Sequence, residues 1–136
     1  MEEFGLGNLD LIKALAPFPG FGATGWICGA VSGGLVTLGL YFASGEITNY
    51  EGNAAAINAA RKFIPRFETA LGSILCPKIQ EDVIFGRYMN TRASKENLEA
   101  FVREKGYAKC SLPAGIGARL AAEIIIESME ETMQEV

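Results

Sequence analysis

The chain has 136 residues, 49% of them apolar and 21% charged, with a formal net charge of −4. That length and balance suit one folded unit with its own core and argue against a disordered chain. Its acidic charge, with no Lys/Arg run longer than a pair, offers nothing for a nucleic-acid backbone to bind. Histidine is absent, which removes Cys-x-x-Cys-His haem attachment, Cys–His zinc sites, Ser–His–Asp triads and Cys–His nucleophiles together.

The N-terminus, MEEFGLGNLD, carries acid where a secretory signal carries positive charge. No leader is expected, and a reducing, cytoplasmic setting is. The segment NLDLIKALA predicts a short helix, stopped by Pro17-Phe18-Pro19-Gly20. GFGATG reads as a glycine-rich loop with Thr24 as the N-cap of the next helix. That long apolar helix is predicted from about Trp26 to Ala43, with Gly45 as its stop. The uncharged run Ala14–Gly45 is long enough to raise a membrane span, but prolines and glycines break its first half. A buried core helix is expected instead.

A third helix is predicted from about Asn53 to Leu71, with Ile57, Ala60, Ile64, Phe67 and Leu71 as one buried stripe and Gly72 as the stop. The next stretch is irregular, and Pro77 is expected to hold Cys76 out of the helical region. SKENLEAFVREKG predicts a fourth helix with Ser94 as N-cap and Gly106 as stop. The last helix is predicted to begin near Pro113 and to end in acid (Glu127, Glu130, Glu131, Glu135), which opposes the helix dipole and favours fraying. The fold expected is all-α: one domain over residues 1–136, a compact bundle of about five helices around a long, glycine-rich, buried central helix.

Three cysteines stand far apart in sequence, Cys28, Cys76 and Cys110. Cys28 is placed in the first turn of the long helix, Cys110 just ahead of the last helix, and Cys76 at a break. Helix N-termini supply unpaired N–H groups and positive dipole ends, which stabilise a thiolate. Isolated cysteines equally serve as inert core filling. Gly25, Gly29 and Gly33 recur every four residues, and each interior glycine costs about 1 kcal/mol against alanine. Close approach of another helix, in this chain or a second copy, offsets that cost; so does a ligand lying on the strip. Glu46, Glu51, Glu81 and Asp82 read as solvated surface charge, Trp26, Phe18 and Phe21 as shielding or core. GFGATG lacks the preceding strand and the lysine of a phosphate cradle.

The element CGAVSGG, Cys28 to Gly34, resembles the Cys-Gly-Ala-x-x-Gly element of the redox-active C-GCAxxG-C-C family. The resemblance extends through FGLGNLDLIKALAPFPGFGATGWICGAVSGGLVTLGLYF and through Cys76 and Cys110 in order, from about Phe4 to Glu127. Members carry four cysteines, the first on a helix upstream of the FGLGNLD region, and this sequence begins at that region. A related domain in the split-Soret cytochromes is dimeric and associated with an iron–sulfur centre. The resemblance therefore implies redox or electron-transfer activity, a homodimer, a redox partner protein, and a [2Fe–2S] cluster held by Cys28, Cys76 and Cys110. Gly29, Ala30 and Gly33 would lie around the cluster, and the fourth ligand would come from elsewhere. Two further readings stand beside it: metal-free thiol–disulfide chemistry, and a dimeric helical interaction module without chemistry.

Overall fold

The computed structural model describes residues 2–134, so Glu135 of the expected acidic end lies outside the described residues. Among them, eight α-helices follow one another: α1 (Leu9–Leu15), α2 (Gly20–Ala23), α3 (Gly29–Phe42), α4 (Tyr50–Leu71), α5 (Cys76–Ile79), α6 (Lys95–Arg103), α7 (Gly106–Lys109) and α8 (Ser111–Gln134). A single 3-10 turn (Glu2–Phe4) precedes α1, and α5 runs on into a π-helical stretch, Gln80–Phe85. The fold is all-α. Among the described residues, β pairing is limited to one isolated antiparallel bridge, Ile27 opposite Leu75.

Helices α3, α4 and α8 pack on one another and carry the core. Phe63, Phe67, Leu38, Ile79, Ile125 and Val31 are its largest fully buried side chains. Helix α3 is apolar all round, which suits a central position. Two glycines set how closely its neighbours approach. A Cβ on Gly34 would run into the Phe63 ring of α4, and one on Gly117 of α8 would lie 2.8 Å from the Ala30 carbonyl oxygen. Close backbone packing thus offsets the helix-propensity cost of both residues.

Local signals set most of the helix ends. Asn8 caps α1 by accepting from the Leu11 N–H at 3.0 Å, and Ser94 caps α6 by accepting from Asn97 at 3.1 Å. Gly72 stops α4 in the left-handed conformation, φ 76°, its N–H donating to the Glu68 carbonyl.

The expected bundle of about five helices is present in α1, α3, α4, α6 and α8, joined by the four-residue pieces α2, α5 and α7, which are too short for a periodicity to register. Three local expectations are corrected. The buried stripe of α4 is Ala59, Phe63, Phe67 and Leu71, while Ile57 is 57% exposed. The true seam is a pure four-residue step facing α3 and α8. Thr24 does not cap α3: it ends α2, and its hydroxyl donates to the Phe21 carbonyl at 2.7 Å. Pro77 does not exclude Cys76 from helix. Cys76 opens α5 and Pro77 follows in the first turn, where its missing N–H costs nothing. The acidic end of α8 is also tied down at one point, since Glu127 accepts two bonds from the Arg66 guanidinium, at 2.7 and 2.9 Å.

Candidate thiol site

The bridge between Ile27 and Leu75 builds the site. Its two backbone bonds come from the cysteines themselves: the Cys28 N–H donates to the Ile74 carbonyl and the Cys76 N–H to the Trp26 carbonyl, both at 2.8 Å. Cys28 and Cys76 each follow the bridged pair by one residue, so alternation puts both side chains on the face opposite Ile27 and Leu75. Each then starts a helix: Cys28 is the N-cap of α3, and Cys76 the first residue of α5. Cys110 arrives from the other end of the chain, as the C-cap of α7 and the residue immediately before α8.

The three cysteines line one cavity of about 500 Å³. Gly29, Ala30 and Gly33, expected beside a cofactor, are on its wall as well. The wall also includes Leu15, Pro19 and Gly20 from the N-terminal segment, Ile79, Gln80 and Ile84 after Cys76, and Pro113, Ala114 and Ala118 of α8. Among the described residues, no charged side chain lines it. All three thiols are free.

Burial pushes the thiol pKa of all three upward, and the surroundings differ in what opposes this. At Cys28 burial dominates, the backbone N–H groups of Ala30 and Val31 pull the other way, and Cys76 adds to the rise. At Cys76 burial is partly countered by Gln80, whose Nε2 donates to Sγ at 3.5 Å. Cys110 has no such donor among the described residues: burial, then Cys76, then Cys28, push it up to about 11. The thiols are protonated near neutral pH, and the two with donors aimed at sulfur are Cys28 and Cys76.

Gln80 is the residue the sequence reading missed. Its amide is buried, and its carbonyl oxygen accepts from the Met89 N–H at 3.0 Å. The signal was its position four residues beyond Cys76, one helical turn. The roof over Cys76 was also missed. Gly20, Phe21, Gly22 and Ala23 have φ of 59°, 52°, 70° and 58°, a full turn of left-handed helix. For Phe21 and Ala23 that handedness costs roughly 1–2 kcal/mol each. The turn lays the Gly20 backbone against Cys76, where an added Cβ would meet Sγ at 3.6 Å.

The glycine strip divides by role. Gly25 lies outside α3, at φ 87°. Gly29 lets Pro19 approach, since a Cβ there would lie 3.0 Å from the Pro19 Cα, and Gly33 faces open space. Trp26 and Phe21 are 63% and 45% exposed, so neither serves as core. Glu81 and Asp82 are surface charges, both paired with Lys78.

The ligand set of an iron–sulfur cluster is not preassembled. The three thiols share a wall, but among the described residues no three His, Cys, Asp or Glu side chains are grouped so as to hold a metal ion. Among the described residues nothing singles out the expected [2Fe–2S] cluster.

A family model described as "Putative redox-active protein (C_GCAxxG_C_C)" matches residues 1–124. The chain belongs to this family. No curated protein and no solved structure matches it. In this C-GCAxxG-C-C protein each position of the CGAxxG element has a physical task. Cys28 takes the N-cap position and puts its thiol on the cavity, Gly29 admits Pro19, Ala30 packs on Gly117, and Gly33 leaves the cavity open. Among the described residues, no helix is long and apolar enough to cross a membrane.

Proposed function

We propose that the protein is a thiol-based redox carrier in which Cys28 and Cys76 cycle between dithiol and disulfide, with Cys110 as the third thiol of the same site. The observation that carries this reading is the convergence of three sequence-distant cysteines on one cavity. The choice of pair rests on the donors: Ala30 and Val31 at Cys28, Gln80 at Cys76, and among the described residues none at Cys110. Those donors stabilise the thiolate that must form transiently for exchange. In an antiparallel ladder the two residues are diagonal neighbours, roughly 7–8 Å apart. A disulfide wants about 4.4–6.8 Å between Cα atoms, so a small approach of the two segments closes the bond. Oxidation removes two electrons and two protons from the pair and forms one S–S bond.

Mild oxidation with diamide, alkylation and peptide mass spectrometry test this. The expected product is a Cys28–Cys76 bridge with Cys110 alkylated. Three alkylated cysteines after oxidation would overturn it. Anaerobic reconstitution with iron and sulfide tests the cluster directly. A charge-transfer absorption that disappears in Cys28→Ser, Cys76→Ser and Cys110→Ser would replace the disulfide cycle with an iron–sulfur centre.

A further inference from the structure

The cavity is larger than two thiols need. Its volume of about 500 Å³ falls in the range of small-molecule sites, roughly 300–1,000 Å³. It extends from the sulfurs along α3, past Gly33 and Gly34 to Thr37, with Ala118 of α8 on its wall. The α3 wall is flat there, because Gly33 and Gly34 carry no side chains. The polar side chains are already engaged: the Thr37 hydroxyl donates to the Gly33 carbonyl at 2.9 Å, and Gln80 holds Cys76 and Met89. Without a charge among the described wall residues, a carboxylate, phosphate or ammonium would enter uncompensated, at a cost of several kcal/mol.

We propose that this slot binds an uncharged, planar, apolar two-electron acceptor of the quinone class, which oxidises the Cys28–Cys76 pair. This rests on the dithiol reading above. The step balances without leaving charge behind. Two S–H bonds break and one S–S bond forms; the quinone takes both electrons and both protons, and its two carbonyls become the hydroxyls of a hydroquinone. An acceptor that takes protons with its electrons is what an uncharged cavity tolerates, and a flat ring is what a glycine wall admits.

The test mixes the reduced full chain anaerobically with 2,3-dimethyl-1,4-naphthoquinone, whose substituted ring blocks thiol addition. Quinone absorbance and protein thiols are followed together. One quinone reduced per two thiols lost, with a Cys28–Cys76 bridge, is the expected result. A Cβ at Gly33 meets nothing within 4 Å, and Gly33 lines the slot, so Gly33→Leu adds bulk on the slot's wall. It is expected to slow the reaction about tenfold or more, and Ala118→Leu, from the α8 side of the wall, to do the same. If wild type forms the bridge with diamide but not with the quinone, the acceptor inference falls and the dithiol reading stands. If neither reagent forms it, the dithiol reading falls. Equal quinone rates in wild type and both folded variants would place the reaction outside the slot and overturn the inference.

Discussion

Gln80 reaches back one helical turn and donates its amide N–H to the sulfur of Cys76, while its carbonyl oxygen accepts the Met89 N–H. One buried side chain therefore joins the thiol to the segment beyond the π-helical stretch. That dual engagement makes Gln80 a positioning residue whose loss has two separable readouts.

Gln80→Leu removes both bonds and leaves the Met89 N–H without its partner. Urea unfolding is expected to show a loss of about 1–3 kcal/mol. The pH profile of Cys76 alkylation is expected to shift upward, because the donor that opposes burial is gone. Gln80→Glu keeps an acceptor for Met89 but sets a carboxylate beside sulfur, so it is expected to raise the Cys76 pKa further. An unchanged alkylation profile in both variants would show that Gln80 does not tune the thiol.

Adjacent glycines in α3 are expected to respond in opposite directions. Gly34→Ala drives a methyl into the Phe63 ring and is expected to cost about 1–3 kcal/mol. Gly33→Ala meets open space and is expected to gain up to about 1 kcal/mol from helix propensity. Equilibrium urea unfolding of the two variants decides it, and equal effects would contradict the packing described.

Raised thiol pKa values make stability depend on alkaline pH. Cys110 ionises at about 9 when unfolded and at about 11 in the fold. The unfolded chain therefore releases this proton first, and stability declines as pH rises through that window. Cys110→Ala is expected to flatten the decline between pH 9 and 11, measured by urea midpoints. A variant whose curve runs parallel to wild type over that interval would show that burial of Cys110 has no such effect.

The bidentate pair Arg66–Glu127 ties the tail of α8 to α4. Both side chains are more than a third exposed, so solvent screening limits the pair to about 1 kcal/mol or less. The guanidinium lowers the Glu127 pKa below its value of 4.5. Its contribution is thus present above that value and is lost as pH falls through the depressed one. A double-mutant cycle with Arg66→Ala and Glu127→Ala, repeated in high salt, is expected to give a small coupling that salt reduces.

How much of this was legible in the sequence depends on what each feature rests on. Caps and stops are local chemistry, and Ser94, Gly72 and the helix-start placement of Cys28 and Cys110 were readable from a few residues. The all-α class followed from periodicity. The bridge at Ile27 and Leu75 was not readable, because neither segment alternates long enough to signal a strand and each pairs with a distant part of the chain. Pro77 misled because the rule for a residue preceding proline competes with proline's preference for a helix's first turn, and here the second prevailed. The Gly20–Ala23 turn was hidden for a different reason, since two of its four residues are not glycine and their handedness is imposed by the surrounding chain.

That turn has a stereochemical consequence. At Gly22 the backbone adopts φ 70°, and nothing lies within 4 Å of an added Cβ, so the obstacle to a side chain there is chirality rather than space. A synthetic or semisynthetic chain with D-alanine at this position would fit the turn natively and restrict the unfolded ensemble, gaining about 0.4–1 kcal/mol, whereas L-alanine would lose. The roof of the thiol cavity is, over four residues, a small piece of mirror-image protein.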